Sequence, residues 1–352
     1  MNLMEYITMA TQQRAADLFL LAGAPACIRM DKTLQPLDDK KLLPNDTEAL
    51  VKELYRLANR EMDRFYQTWD DDFSFAVPGL ARFRVNTYRQ RGSMAAVIRV
   101  VSFTIPDWKE LHILPQIIDL SKLTNGMVLV TGAADSGKST TLACIVDEIN
   151  KTRSCHIITL EDPIEYLHRD RISIVSQREV TIDTATFPTA LRACLRQSPD
   201  VIQLGEMRDM ETIRAAMTAA ETGHLLLTTL HTRGAVSTID RIVDTFPAEQ
   251  QEQIRIQLCS VLHTVISQQL LPTKKGGLIP AFEIMHMNKA IASLIRDRKI
   301  HQIDNTIASG AAEGMISMDQ YILNLYQAGE IERDTAIRFA RNPEQLMRKL
   351  NG

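Results

Sequence analysis

The chain has few cysteines for its 352 residues, and the five it has (Cys27, Cys144, Cys155, Cys194 and Cys259) never form a C-x-x-C pair. Scattered spacing of this kind supports neither a zinc site nor a disulfide framework. Cys194 falls on the apolar stripe Phe187, Ala190, Leu191, Cys194, Leu195, where a reduced thiol packs as a small hydrophobe. The expected compartment is reducing and cytoplasmic. Long apolar runs are also missing: none approaches the ~20 residues that span a bilayer. The amino-terminal stretch lacks the charged start and apolar core of a signal peptide. Direct membrane insertion is therefore not expected, and any work at a membrane goes through a protein partner. Neither sign of charge is in excess: 40 basic and 43 acidic side chains leave a formal charge of -3. That balance gives no global bias toward nucleic acid or anionic lipid. There is no low-complexity segment and no internal repeat.

A hydrophobic content of 45% is enough for two ordinary globular domains. Residues 1–101 read as a mixed α/β domain. Helical patterns run from Glu5 to Leu18 and from Asn45 to Phe65. The runs Asp72 to Val77 and Ala81 to Tyr88 alternate polar and apolar residues around Pro78-Gly79, which predicts a hairpin. Residues 102–118 hold no single period and carry Pro106, Trp108 and Pro115, as expected of an interdomain linker. In residues 119–352 short apolar runs at Met127, His156, Val201 and Leu225 alternate with helical patterns, which predicts a mostly parallel sheet in an α/β layer. After Pro247 the pattern reads as mainly helical, with Leu258, Val261, Leu262, Val265 and Ile266 on one stripe.

The strongest motif is Gly132-Ala133-Ala134-Asp135-Ser136-Gly137-Lys138-Ser139, which fits G-x-x-x-x-G-K-S/T. An apolar strand pattern precedes it, and a helical pattern opening at Thr140 follows, with Leu142, Ile145, Val146 and Ile149 on one face. Glycines let backbone N–H groups curl around phosphate, and a helix N-terminus adds positive potential. Lys138 is placed to meet the β- and γ-phosphates of ATP, and Ser139 to hold Mg²⁺. Asp135 puts a carboxylate into a loop built for anions, so it is expected to face solvent or a cation.

Val201-Ile-Gln-Leu-Gly205-Glu206 is an apolar strand ending in an acid. Beside a P-loop, such an acid orients or deprotonates the attacking water. Gly205 stands where an Asp often precedes it, so Mg²⁺ must rely on Ser139, water and another acid. Glu161, followed by Asp162 and Pro163, also closes a strand pattern and is a candidate for tuning water or Mg²⁺. The same residues also read as a solvated turn before a proline. His231 closes one strand pattern at the expected site edge, whereas His224 opens it at the other end. Neither has a metal-ligand companion at suitable spacing. Arg82 and Arg84 share a strand face. Such pairs are usually a solvated sheet surface; delivered to a neighbouring nucleotide they would act as arginine fingers.

These motifs together resemble the secretion and type IV pilus ATPase superfamily, most closely its twitching-motility retraction branch (PilT-type). The resemblance runs nearly end to end. It covers Ala16-Asp17-Leu18 with the Ala24-Pro25 and Ile28-Arg29 pairs, Pro78 to Asn86, the P-loop, Thr159 to His168, Leu204 to Ala216, Ala219 to His224, Thr229 to Thr232 and Thr238 to Gln250. It implies a PAS-like N-terminal α+β domain, a RecA-like P-loop domain with a helical C-terminal region, and a homohexameric ring. It matches Lys138 and Ser139 to Walker A, Glu206 to an atypical Walker B, and Glu161, Asp162 and Glu165 to an acidic box. It also matches His224 and His231 to a histidine box, and Arg82, Arg84 and Arg99 to arginine positions. Implied partners are an inner-membrane pilus platform protein and a paralogous pilus ATPase. The sequence departs from the branch at Ala133, Ala134 and Asp135 in the P-loop, at Phe19, at Ser198, and at Ala292 near the C-terminus. Extension and secretion ATPases generally carry a four-cysteine motif and a further N-terminal domain. This chain shows neither, so retraction is the expected work. The alternatives are pilus extension or secretion, a weakly hydrolysing partner subunit of another motor, and a nucleic-acid translocase, which the charge balance disfavours.

Overall fold

The computed structural model describes residues 1–30, 33–101 and 105–351. It divides into two compact units, Met1–Thr104 with Glu165–Leu167, and Ile105–Ile164 with His168–Gly352. Residues 102–104, the start of the expected linker, lie outside the described residues.

The first unit is built on a six-stranded antiparallel sheet. Its strands are β1 (Asp17–Leu20), β2 (Pro25–Met30), β3 (Thr33–Lys41), β4 (Asp70–Val77), β5 (Ala81–Gln90) and β6 (Ser93–Val101), in the order β3-β2-β1-β6-β5-β4. The predicted hairpin is β4–β5, with Gly79 at φ +78° in the turn and Val77 paired to Ala81. Alternation along β5 buries Phe83 and Val85 and turns Arg82 and Arg84 to the opposite face. Two helix expectations need correction. The first helix is Leu3–Gln12 and stops well short of Leu18. Arg14 turns left-handed at φ +56°, and Asp17–Leu20 pairs with strands on both sides. Leu18 and Leu20 gain complete burial in the sheet, which outweighs helix propensity. The second pattern splits into Pro44–Leu57 and Asp63–Thr68, broken at Asn59 with φ +47°, a conformation that Asn tolerates.

The second unit holds a seven-stranded sheet. Its strands are β7 (Gly126–Thr131), β8 (His156–Glu161), β9 (Ile174–Glu179), β10 (Val201–Leu204), β11 (Leu225–Leu230), β12 (Leu262–Pro272) and β13 (Leu278–His286), in the order β13-β12-β7-β11-β10-β8-β9. Every pairing is parallel except β12 with β13. Every residue of β10 and β11 is buried, as a sheet covered on both faces demands. One face, with Val128, Val130 and Leu227, packs on Leu142, Ile145, Val146 and Ile149 of the helix Lys138–Thr152. The other, with Leu129, Leu204 and Leu226, packs on helices that include Met210–Glu221 and Ala235–Asp244. Among the described residues no helix is long and apolar enough to cross a membrane.

The segment after Pro247 is mainly helical, as expected, but two strands interrupt it. The helix Ala248–Val261 ends where β12 begins, and β13 returns beside it. Val265 and Ile266, read as one helical stripe, point to opposite faces of the sheet: Val265 joins the cluster of Leu129, and Ile266 that of Val130. A strand buried on both faces is apolar at successive positions, so over a short run it imitates a helix stripe. From Lys289 onward the described chain is helical, with short connections.

Candidate functional site

Because β7, β8, β10 and β11 are parallel, their carboxyl ends lie along one edge of the sheet. Ligands of open α/β sheets bind at that edge. The loop Gly132 to Gly137 leaves β7 there and feeds the helix Lys138–Thr152. Its shape needs two glycines. Gly132 has φ +146°, and a side chain there would collide with the backbone oxygen of Gln268; Gly137 has φ +84°. Asp135 also takes a left-handed φ of +58°. It is exposed and has no ion-pair partner among the described residues. Lys138 is buried, and its Nζ donates to the carbonyls of Gly132 (3.0 Å) and Ala133 (2.6 Å). Among the described residues the buried hydroxyls of Thr131 and Ser136 have no hydrogen-bond partner. Unmade bonds of that kind cost roughly 1–3 kcal/mol each. Such donors, with a buried ammonium and a helix N-terminus, fit a phosphate ligand.

Sequence reasoning missed the support beneath this loop. Gln268 of β12 is buried, accepts a 2.7 Å bond from Thr141 Oγ1 and places its Nε2 2.8 Å from where a Gly137 side chain would begin. A strand reading of the run from Leu262 would have exposed this polar residue facing the P-loop helix; a helix reading hid it.

Glu206 follows β10, which lies two strands from β7, or about 10 Å at ordinary strand spacing. Gly205 before it is hemmed in: a Cβ there would lie 3.3 Å from both the Leu160 oxygen and the Phe187 ring. A side chain at this position would require its neighbours to shift by a few tenths of an ångström. The Glu206 side chain is 15% exposed, and its Oε2 meets Arg208 Nε at 2.6 Å and His231 Nε2 at 3.2 Å. Both contacts fall on one oxygen, Oε2. His231 stands just past β11, the strand between β10 and β7, so the structure brings Glu206 and His231 together beside the cradle.

The other candidate residues are placed differently. Glu161 ends β8, one strand farther from the cradle, and is buried; its Oε1 accepts from Thr159 Oγ1 (2.7 Å) and Gln177 Nε2 (3.2 Å). Asp162 is exposed, before a cis proline. His168, at the end of the same motif, has a buried Nδ1 with no hydrogen-bond partner among the described residues, and burial lowers its pKa to about 4. His224 lies at the opposite end of β11, roughly 20 Å from His231 along the strand. Its Nδ1 contacts the Ala219 carbonyl at 3.0 Å and Thr222 Oγ1 at 3.1 Å. Arg82 and Arg84 belong to the first unit, where Arg84 lines a cavity of about 240 Å³ with Asp17, Asp72, Asn86 and Arg99. Arg99 there donates to Asp17 at 3.0 Å.

Among the described residues no three His, Cys, Asp or Glu side chains gather into a metal site. Mg²⁺ does not need one: it binds through one or two protein oxygens, waters and substrate phosphates. Ser139, in the first helical turn, and the oxygens of Glu161 and Glu206 are hard donors of that type.

A model of the type II/IV secretion system protein family matches residues 2–341. The chain is 42% identical to the type IV pilus retractation ATPase PilT of Pseudomonas aeruginosa, over 98% of this chain and all of that one. It is 46% identical to a twitching motility protein of Neisseria gonorrhoeae, over 80% of this chain and 76% of that one. The type IV pilus ATPase PilU of Pseudomonas aeruginosa is 36% identical, over 99% and 92%. A crystal structure of the pilus retraction motor PilT with bound ADP superposes with a TM-score of 0.91 at 44% identity, covering 99% of each chain.

Proposed function

The chain belongs to the type II/IV secretion system protein family, and from that premise we propose that it is a motor that hydrolyses ATP to retract type IV pili. The observation that carries the reading is the Glu206–His231 pair, with His231 one strand and Glu206 two strands from the phosphate cradle on a shared sheet edge. The full-length similarity to a retraction ATPase supports the direction of the work.

Each residue has a role. Gly132, Ala133, Ala134, Asp135, Ser136 and Gly137 wrap the phosphates with backbone N–H groups, while Lys138 supplies charge at the β- and γ-phosphates and Thr140 continues the first helical turn. Ser139 and Glu161 would hold Mg²⁺ when it is bound. The ion's chemistry is to neutralise charge on the phosphate oxygens. Glu206 orients the attacking water and accepts its proton at Oε1, while His231 and Arg208 hold its other oxygen. Arg82 and Arg84 offer positive charge to developing phosphate charge, and His224 acts away from this centre. Residues 1–101 form the PAS-like domain, 102–118 the linker and 119–352 the ATPase domain. The working form is a homohexamer, recruited to the cytoplasmic side of the membrane by a pilus platform protein, with a paralogous ATPase as a second partner.

Steady-state ATPase activity with Mg²⁺, beside Glu206→Gln, tests the reading. Turnover should fall about 10²- to 10⁴-fold while ADP affinity is retained; a Glu206→Gln variant as active as the native chain refutes it. A second reading rests on Asp135, an exposed carboxylate in the phosphate loop. A native chain that binds ADP but turns nothing over would make it a weakly hydrolysing partner of another motor.

A further inference from the structure

We propose that Arg341 and Glu283 act as a positioning pair, holding the His231 loop so that the C-terminal helices govern hydrolysis at Glu206. The inference rests on the roles given above to Glu206 and His231. Among the described residues Glu206 is the only hydrogen-bond partner of the His231 ring, and the side chain is 49% exposed. Its placement therefore depends on the backbone of the link from His231 to Gly234, between β11 and the helix Ala235–Asp244.

That link is pinned at its far end. Gly234 N donates to Ser267 Oγ (2.9 Å), and Ala235 N donates to Glu283 Oε1 (2.9 Å). Arg341 bridges the two sides: Nη1 donates to Glu283 Oε2 (2.8 Å) and Nη2 to the Arg233 carbonyl (3.1 Å). The guanidinium lies so close to Gly234 that any side chain there would run into it. Glu283 is 1% exposed, and burial raises its pKa, opposed chiefly by the Arg341 charge. Arg341 also reaches Asp304 at 3.4 Å. Its own backbone is anchored to the C-terminal helices, because Asp319 accepts from Arg341 N (2.6 Å) and Asn342 N (2.9 Å). A single side chain thus ties the helix Met318–Gln327 to the backbone that carries His231.

Buried ion pairs seldom stabilise a fold beyond what apolar packing would give. What this one supplies is geometry: a planar, two-pronged donor that a lysine cannot reproduce. Displacement of a reacting group by ~1 Å costs up to about a hundredfold in rate.

The test is a double-mutant cycle on the full chain with Arg341→Lys and His231→Ala. It measures kcat and KM for ATP, together with affinity for a fluorescent ADP analogue. Arg341→Lys should lower kcat roughly ten- to a hundredfold, with KM and ADP affinity unchanged. Added to His231→Ala, it should cost nothing further. A multiplicative loss in the double variant, or a parallel fall in ADP affinity, overturns the positioning role. His231→Ala at full turnover overturns the reading of the site, and this inference with it. Should Arg341→Lys fail to fold, the same cycle with Glu283→Gln decides the matter by the same outcomes.

Discussion

Replacing Gln268 with Met should weaken nucleotide binding without touching any group that meets the nucleotide. The side chain lies beneath the phosphate loop, accepts the Thr141 hydroxyl at 2.7 Å and abuts Gly137. Methionine nearly matches its length but cannot accept that bond. Thr141 is fully buried, so its donor would be left unmade, at a cost of about 1–3 kcal/mol. For a unit of this size, 1 kcal/mol moves the melting temperature by roughly 2–4 °C. A fall of about 4–8 °C is therefore expected for a mid-range loss of ~2 kcal/mol. If the loosened loop forfeits one charge-assisted N–H bond to phosphate, worth about 1.5–3 kcal/mol, ADP should bind roughly ten- to a hundredfold more weakly. Thermal unfolding and titration with a fluorescent ADP analogue read the two effects separately. The double variant Gln268→Met with Thr141→Val removes both partners, so stability should recover to within about 1 kcal/mol while affinity stays low. Native ADP affinity and an unchanged melting temperature in Gln268→Met would refute the support role.

Two further outcomes follow from the same geometry. Asp135→Gly removes a carboxylate from an anion loop and suits the left-handed φ of +58°. ADP affinity should rise a few-fold to about tenfold at low salt, and the gain should shrink as salt screens the charge; equal affinities at low salt would count against a repulsive role. His168 is held neutral by burial, its pKa lowered from 6.5 to about 4. The unfolded chain therefore binds this proton first, and the contribution of the neutral ring is present above pH 6.5 and lost as pH falls toward about 4. That shift is worth at most about 3.5 kcal/mol, so the melting temperature of His168→Gln should fall less steeply over this range than that of the native chain. Parallel curves would show that the ring is not buried as described.

Much of the fold was legible because local pattern and tertiary demand agree. Apolar runs separated by helical patterns foretold the parallel sheet of the second unit, and Pro78-Gly79 between alternating runs foretold β4–β5. Where the two disagree, the reading failed. Asp17–Leu20 continues a helical pattern, yet it pairs with β2 and β6. Val265 and Ile266 lie on a helical stripe, yet β12 slots in beside β7. No local period records that a neighbouring strand is available, and the sheet's burial outweighs the difference in propensity.

The sequence by itself determined the phosphate loop, because G-x-x-x-x-G-K-S is a local requirement of backbone curvature and charge. It also determined that Glu206 and His231 lie just past strand ends, because an apolar run closed by a polar residue marks a strand's exposed end. Only the tertiary structure decided that β11 lies next to β10, so that residues 25 positions apart share a hydrogen bond. The same is true of Gln268 beneath the loop and of Arg341 against Gly234, 108 residues from the carbonyl it holds. Those contacts come from strand order and chain return. Both are set by which apolar faces can be buried together, and no short stretch of chain contains that information.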